Sequence, residues 1–109
     1  MPSVEVTRII PGDLDSVWQM VADMERYPQY MESVDAIEVL SRDGNETETD
    51  WKVRLQGAPF HWVERDVFLR DEGRITYDQV SGDLKVFRGE WLLEEAPDGT
   101  SVTLTCEFE

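Results

Sequence analysis

A chain of 109 residues, 40% hydrophobic and 10% aromatic, has the size of one domain with a small core. Ten Lys and Arg stand against 24 Asp and Glu, a net charge of −14. With no basic stripe, that balance argues against a nucleic-acid partner and an anionic membrane surface.

One cysteine, Cys106, excludes an internal disulfide and fits a reducing compartment. No apolar run approaches the ~20 residues of a membrane span, and no signal peptide is visible at the N-terminus. The chain reads as a single cytoplasmic domain over residues 1–109.

The β-branched run Ser3–Ile10 predicts a first strand, ended by Pro11-Gly12. Asp13 is then a candidate N-cap. Leu14, Val17, Trp18, Val21 and Met24 fall on one helical face. Pro28 disfavours helical geometry at Tyr27 and predicts a break, with a second helical turn over 29–33.

From there the periodicity is that of strands, near 35–41, 47–55, 60–69, 74–80, 84–94 and 101–108. Asp43-Gly44-Asn45, Gly57-Ala58-Pro59, Asp71-Glu72-Gly73, Ser81-Gly82-Asp83 and Pro97-Asp98-Gly99 supply the turns. Such short connections imply antiparallel neighbours, hence a seven-stranded α+β architecture whose one helical stretch is too short to cover the sheet.

No His/Cys/Asp cluster has metal-ligand spacing, and there is no phosphate loop or G-x-S-x-G elbow. His61 reads as a surface or rim residue and Cys106 as a small buried hydrophobe. The fourth strand carries the most informative pattern. Phe60, Trp62, Glu64, Asp66 and Phe68 share one face, with the two carboxyls about 6–7 Å apart along the strand.

Facing an apolar cavity, at least one of these carboxyls would have a raised pKa and could serve as general acid or base. In the inverted register His61, Val63, Arg65, Val67 and Leu69 point inward and the acids are solvated or ion-paired. The aromatics favour the first register. Trp18 reads as core; Trp62 and Trp91, on the longest strands, suit the wall of a pocket for planar apolar ligands. Phe87 and Leu104, inward on the sixth and seventh strands, join them. Tyr27, Tyr30 and Met31 at the helix break are placed for either a pocket mouth or simple packing. Gly89, between Phe87 and Trp91, marks a bend or a close approach.

The ordered set of a strand, the segment 13–34, Trp62-Val63-Glu64-Arg65-Asp66, Gly82-Asp83-Leu84-Lys85 and Phe87-Arg88-Gly89-Glu90-Trp91 resembles the START-like helix-grip superfamily. It is similar to the polyketide cyclase/aromatase and coenzyme-Q-binding-protein branch. The resemblance implies a Bet v 1-like curved seven-stranded antiparallel sheet around an apolar cavity, with a long C-terminal helix that should follow Phe108. That helix is absent from these residues, so the chain is truncated, or a partner or second copy in a homodimer supplies the cover.

The resemblance further implies cofactor-free binding of a hydrophobic small molecule. The ligand would be a poly-β-ketone, carried on an acyl carrier protein, directed to ring closure and dehydration. The alternative is a non-catalytic lipid or quinone carrier. A ribosome-associated interaction module, also found in the superfamily, is disfavoured by the acidic charge.

By resemblance Tyr27, Met31 and Trp91 fall where aromatase/cyclases place cavity aromatics. The serine and arginine of the tetracenomycin-type enzymes are matched here by Glu64 and Asp66, with Arg65 out of phase, and a cavity tyrosine by Val34. The catalytic candidates are therefore Glu64 and Asp66. The ligand-binding candidates are Tyr27, Tyr30, Met31, Trp62, Phe87, Trp91 and Leu104.

Overall fold

The computed structural model describes residues 2–109. Seven strands form one antiparallel sheet: β1 (Ser3–Ile10), β2 (Val34–Asp43), β3 (Glu46–Leu55), β4 (Ala58–Leu69), β5 (Arg74–Gly82), β6 (Phe87–Ala96) and β7 (Gly99–Phe108). Their order across the sheet is β1-β7-β6-β5-β4-β3-β2. The six later strands form a meander, and β1 pairs with the last of them. Because β1 and β2 lie at opposite edges, the segment joining them must cross one face of the sheet. That segment holds α1 (Leu14–Ala22), a 3-10 turn (Met24–Arg26) and α2 (Tyr27–Tyr30).

Asp13 caps α1 as its pattern predicts, its carboxylate accepting from Ser16 N–H at 2.8 Å. That bond holds the Asp13 carboxyl below its usual range. Val17, Trp18 and Val21 are buried against β6 and β7. Arg70 stacks over the Trp18 ring at 5.3 Å and pairs with Asp15, fastening the helix to the turn after β4. The core continues through Met24, Tyr27, Trp51, Val53, Ile75 and Leu93. Full burial of such side chains contributes roughly 1.5–3 kcal/mol each.

Two expectations need correction. Pro28 does not break a helix: Tyr27 before it is helical (φ −55°, ψ −37°), and Pro28 stands in the first turn of α2, where its missing N–H costs no hydrogen bond. The break falls at Asp23, so the second helical piece is Tyr27–Tyr30 rather than 29–33. The β3–β4 hairpin turns on Gln56-Gly57, both at positive φ, with Leu55 facing Ala58. This two-residue loop precedes the expected Gly57-Ala58-Pro59 and leaves Ala58 and Pro59 in the strand.

Cross-strand pairing sets the concave face in rows. One runs Val4, Cys106, Gly89, Tyr77, Asp66 and Thr47. Its neighbour runs Val6, Leu104, Trp91, Ile75 and Phe68. Gly89 is the close approach its sequence context anticipates. A Cβ there would overlap the Thr105 carbonyl oxygen and lie 2.6 Å from the Tyr77 hydroxyl. The helical segment covers part of this face. Among the described residues no helix follows β7, and Val4 and Val6 are 50% and 40% exposed.

Candidate functional site

The site is built on β3 and β4, whose alternate residues point to the concave side. Along β4 the inward residues include Trp62, Glu64, Asp66 and Phe68; along β3 they are Thr47, Thr49, Trp51 and Val53. Glu64 is 2% exposed and Asp66 is fully buried, whereas His61 and Arg65 are exposed. The face carrying the aromatics and acids therefore looks inward. A β-bulge between Val63 and Glu64 on the β5 side adds curvature where the Glu64 side chain enters the cavity.

Asp66 Oδ2 accepts hydrogen bonds from Thr47 Oγ1 at 3.0 Å and Thr49 Oγ1 at 2.6 Å. Thr49 in turn accepts from Trp51 Nε1 at 2.8 Å. Asp66 Oδ1 has no donor among these groups.

Glu64 Oε1 accepts from Trp62 Nε1 at 2.8 Å. Burial first, and then the neighbouring Asp66 carboxyl, hold the Glu64 carboxyl well above its usual range; the Trp62 bond opposes them. The pair is thus biased toward a protonated Glu64.

Glu64 forms part of the wall of an apolar pocket of about 210 Å³. Its other walls are Tyr27, Met31, Val34, Trp51, Val53, Trp62, Tyr77, Phe87, Trp91 and Leu104. Six of the seven ligand-binding candidates meet there. Tyr30 does not: it is 56% exposed and outside the pocket, because the short α2 turns Tyr27 inward and Tyr30 outward. Asp66 lies behind Glu64 rather than on the wall.

Reading the sequence missed Trp51, Val53 and Tyr77 as wall residues and Thr47 and Thr49 as partners of Asp66. The i, i+2 series Thr47-Thr49-Trp51-Val53 was the available signal. Placing two threonines opposite the two acids required the β3–β4 register, which sequence alone does not set.

The aromatic rings brace one another. Trp51 and Trp62 stack with centroids 5.6 Å apart and planes 10° from parallel. Tyr27 meets Trp51 edge-on at 5.7 Å and Trp91 at 6.1 Å, and Phe87 packs on Trp62 at 4.9 Å. Burial, reinforced by nearby acidic groups, keeps both Tyr27 and Tyr77 protonated. Their hydroxyls are committed, Tyr27 to the Val21 carbonyl and Tyr77 to the Thr105 carbonyl at 2.8 Å. Glu64 is therefore the acidic wall residue whose proton affinity is raised and whose carboxyl is not committed to a backbone carbonyl.

His61 is a rim residue, with Nε2 2.9 Å from Asp50 and its backbone tied to Asp83. Together with the Gln79 bond to the Leu84 carbonyl, it fixes the loop leading to Phe87. Cys106 is half-buried. Among the described residues no group of three or more His, Cys, Asp or Glu is disposed to hold a metal, and no helix is long and apolar enough to cross a membrane.

Residues 10–109 match the model of the family described as polyketide cyclase / dehydrase and lipid transport. A Streptomyces cyaneus protein named for polyketide cyclase activity is 31% identical over 107 residues, covering 95% of this chain and 69% of the relative. The crystal structure of a Thermus thermophilus protein superposes with a TM-score of 0.95 at 28% identity, over 99% of this chain and 74% of the other. The Zhui aromatase/cyclase of a Streptomyces species shares the fold at a TM-score of 0.92 and 22% identity, over 99% of this chain and 67% of that one.

Proposed function

The chain belongs to the polyketide cyclase / dehydrase and lipid transport family, with a START-like helix-grip fold, and on that footing we propose that it directs ring closure and dehydration of a poly-β-ketone, with Glu64 as the proton-transfer group. One observation carries the reading: a buried carboxyl, backed by a second carboxyl, stands in the wall of an otherwise apolar, aromatic pocket. A simple carrier of apolar molecules gains nothing from a buried acid pair, which is costly to desolvate.

The chemistry follows from a group that cycles between acid and base. Neutral Glu64 gives its proton to the electrophilic ketone oxygen as the carbon–carbon bond forms. The nucleophilic methylene reacts as its enol, and the carboxylate so produced takes the enol hydroxyl proton as that carbonyl re-forms. In the dehydration Glu64 protonates the departing hydroxyl, which leaves as water, and recovers a proton from carbon. Asp66 is a positioning residue in this scheme: its neighbouring carboxyl favours the protonated form of Glu64 between turnovers.

The rigid aromatic walls favour a folded near-attack conformer of the chain. At about 210 Å³ the pocket is smaller than the ~300–1,000 Å³ of typical ligand pockets. It therefore takes the reacting segment, while the remainder of a long substrate lies over the open concave face beside Val4 and Val6. Delivery on an acyl carrier protein belongs to the same reading.

The test is reconstitution with a ketosynthase system that releases a poly-β-ketone, comparing product distributions by mass spectrometry. Glu64→Gln with Asp66→Asn is expected to shift the products to those of spontaneous cyclisation, while a planar apolar probe still binds. An unchanged distribution in the double variant would contradict the proton-transfer role and leave the pocket as a carrier site.

A further inference from the structure

A second chamber lies on the same concave face, beyond the carboxyl pair. It occupies about 320 Å³ between the α1 region and strands β2, β3 and β4, walled in part by Ala22, Phe68, Thr47 and Thr49. At its rim Glu25 and Arg42 form an ion pair at 3.9 Å, both side chains more than half exposed, so the chamber opens to water.

Along β3 the inward residues pass from this chamber (Thr47, Thr49) to the ligand pocket (Trp51, Val53). Along β4 they pass from Phe68, through Asp66, to Glu64 and Trp62. Asp66 therefore stands in the partition between the chambers. It is bonded to threonine hydroxyls on the chamber side and neighbours Glu64 on the pocket side.

We infer that the second chamber is a rear entrance for water and protons, and that Thr47 relays exchange between it and the carboxyl pair while substrate fills the front pocket. Four observations support the route. The chamber has room for several waters at about 30 Å³ each, and its polar lining offers the two to four partners a water needs. Thr47 is 5% exposed, and its one side-chain hydrogen bond is to Asp66, which leaves its oxygen able to accept from a chamber water. Thr49 already accepts from Trp51, so Thr47 is the member with capacity to spare. Asp66 Oδ1 is fully buried without a hydrogen-bond partner, an acceptor free to pass exchange on to the neighbouring Glu64.

The inference rests on the proton-transfer reading of Glu64, but its test uses no substrate. The carbonyl stretch of the Glu64 carboxylic acid, assigned by its loss in Glu64→Gln, shifts when the proton is replaced by deuterium. Its rate of shift after mixing into D2O measures access. Ala22→Phe, which fills the rear chamber, and Thr47→Val, which removes the relay hydroxyl at nearly equal volume, are expected to slow the shift tenfold or more. Met31→Trp, which narrows the front mouth, is expected to slow it less than tenfold. Should Ala22→Phe fail to fold, Thr47→Val decides alone.

Slowing below tenfold in the chamber variants overturns the inference. So does tenfold slowing in Met31→Trp, and so does the absence of the carboxylic-acid band in the parent protein. Rear-chamber control of exchange combined with an unchanged product distribution in the acid double variant would uphold the route and reject the cyclase reading. The reverse pair of results would do the opposite.

Discussion

Glu64 makes stability depend on pH in a definite sense. Its folded-state pKa is raised above the ordinary 4.5, first by burial and then by Asp66, so the folded form retains a proton that the unfolded chain releases. Asp66, Tyr27, Tyr77 and Cys106 are the titratable groups coupled to this side chain. Below the unfolded value the penalty is absent. Above it, stability falls by up to about 1.4 kcal/mol per pH unit until the folded-state value is passed. Glu64→Gln keeps the neutral shape and cannot titrate. Its melting temperature relative to the parent is therefore expected to rise between about pH 5 and pH 8. Parallel melting curves across that range would show that Glu64 is not held neutral.

At the level of elements, the close packing of β6 on β7 depends on one missing side chain. Gly89 sits between Tyr77 and Cys106 in its row, and a methyl there would meet the Thr105 carbonyl, which is backbone and cannot swing aside. Gly89→Ala is expected to destabilise the fold by about 1–3 kcal/mol or more, measured by urea unfolding, and to loosen the Tyr77 hydrogen bond to Thr105. A loss below about 0.5 kcal/mol would mean that the strands separate at little cost.

Strand alternation and turn residues made this layer legible in advance. The seven strands follow from period-two patterning and turn residues; that the acids of β4 face inward rested on the aromatics beside them, and Gly89 was open to either a bend or a close approach. The helix break was misread because Pro28 has two meanings, a stop for the preceding helix or a start for the next, and only the packing of Tyr27 against Trp51 and Trp91 selects the second.

Across the whole molecule, the crossing from β1 to β2 lays the helical segment over part of a curved sheet. The covered part holds two chambers with an acid pair between them. The family was accessible from the ordered motifs. The partners of the acids were not, since Thr47 and Thr49 meet Asp66 across 17 to 19 residues of chain through hairpin register.

The central claim is that neutral Glu64 moves protons in the apolar pocket. Its most direct test is the pH dependence of ring closure in the parent protein and in Glu64→Gln. The parent rate is expected to fall as pH rises through the raised Glu64 pKa, because the acid form is consumed, while Glu64→Gln is expected to be slow and flat over the same range. A variant that keeps both the rate and the pH profile of the parent would contradict the account.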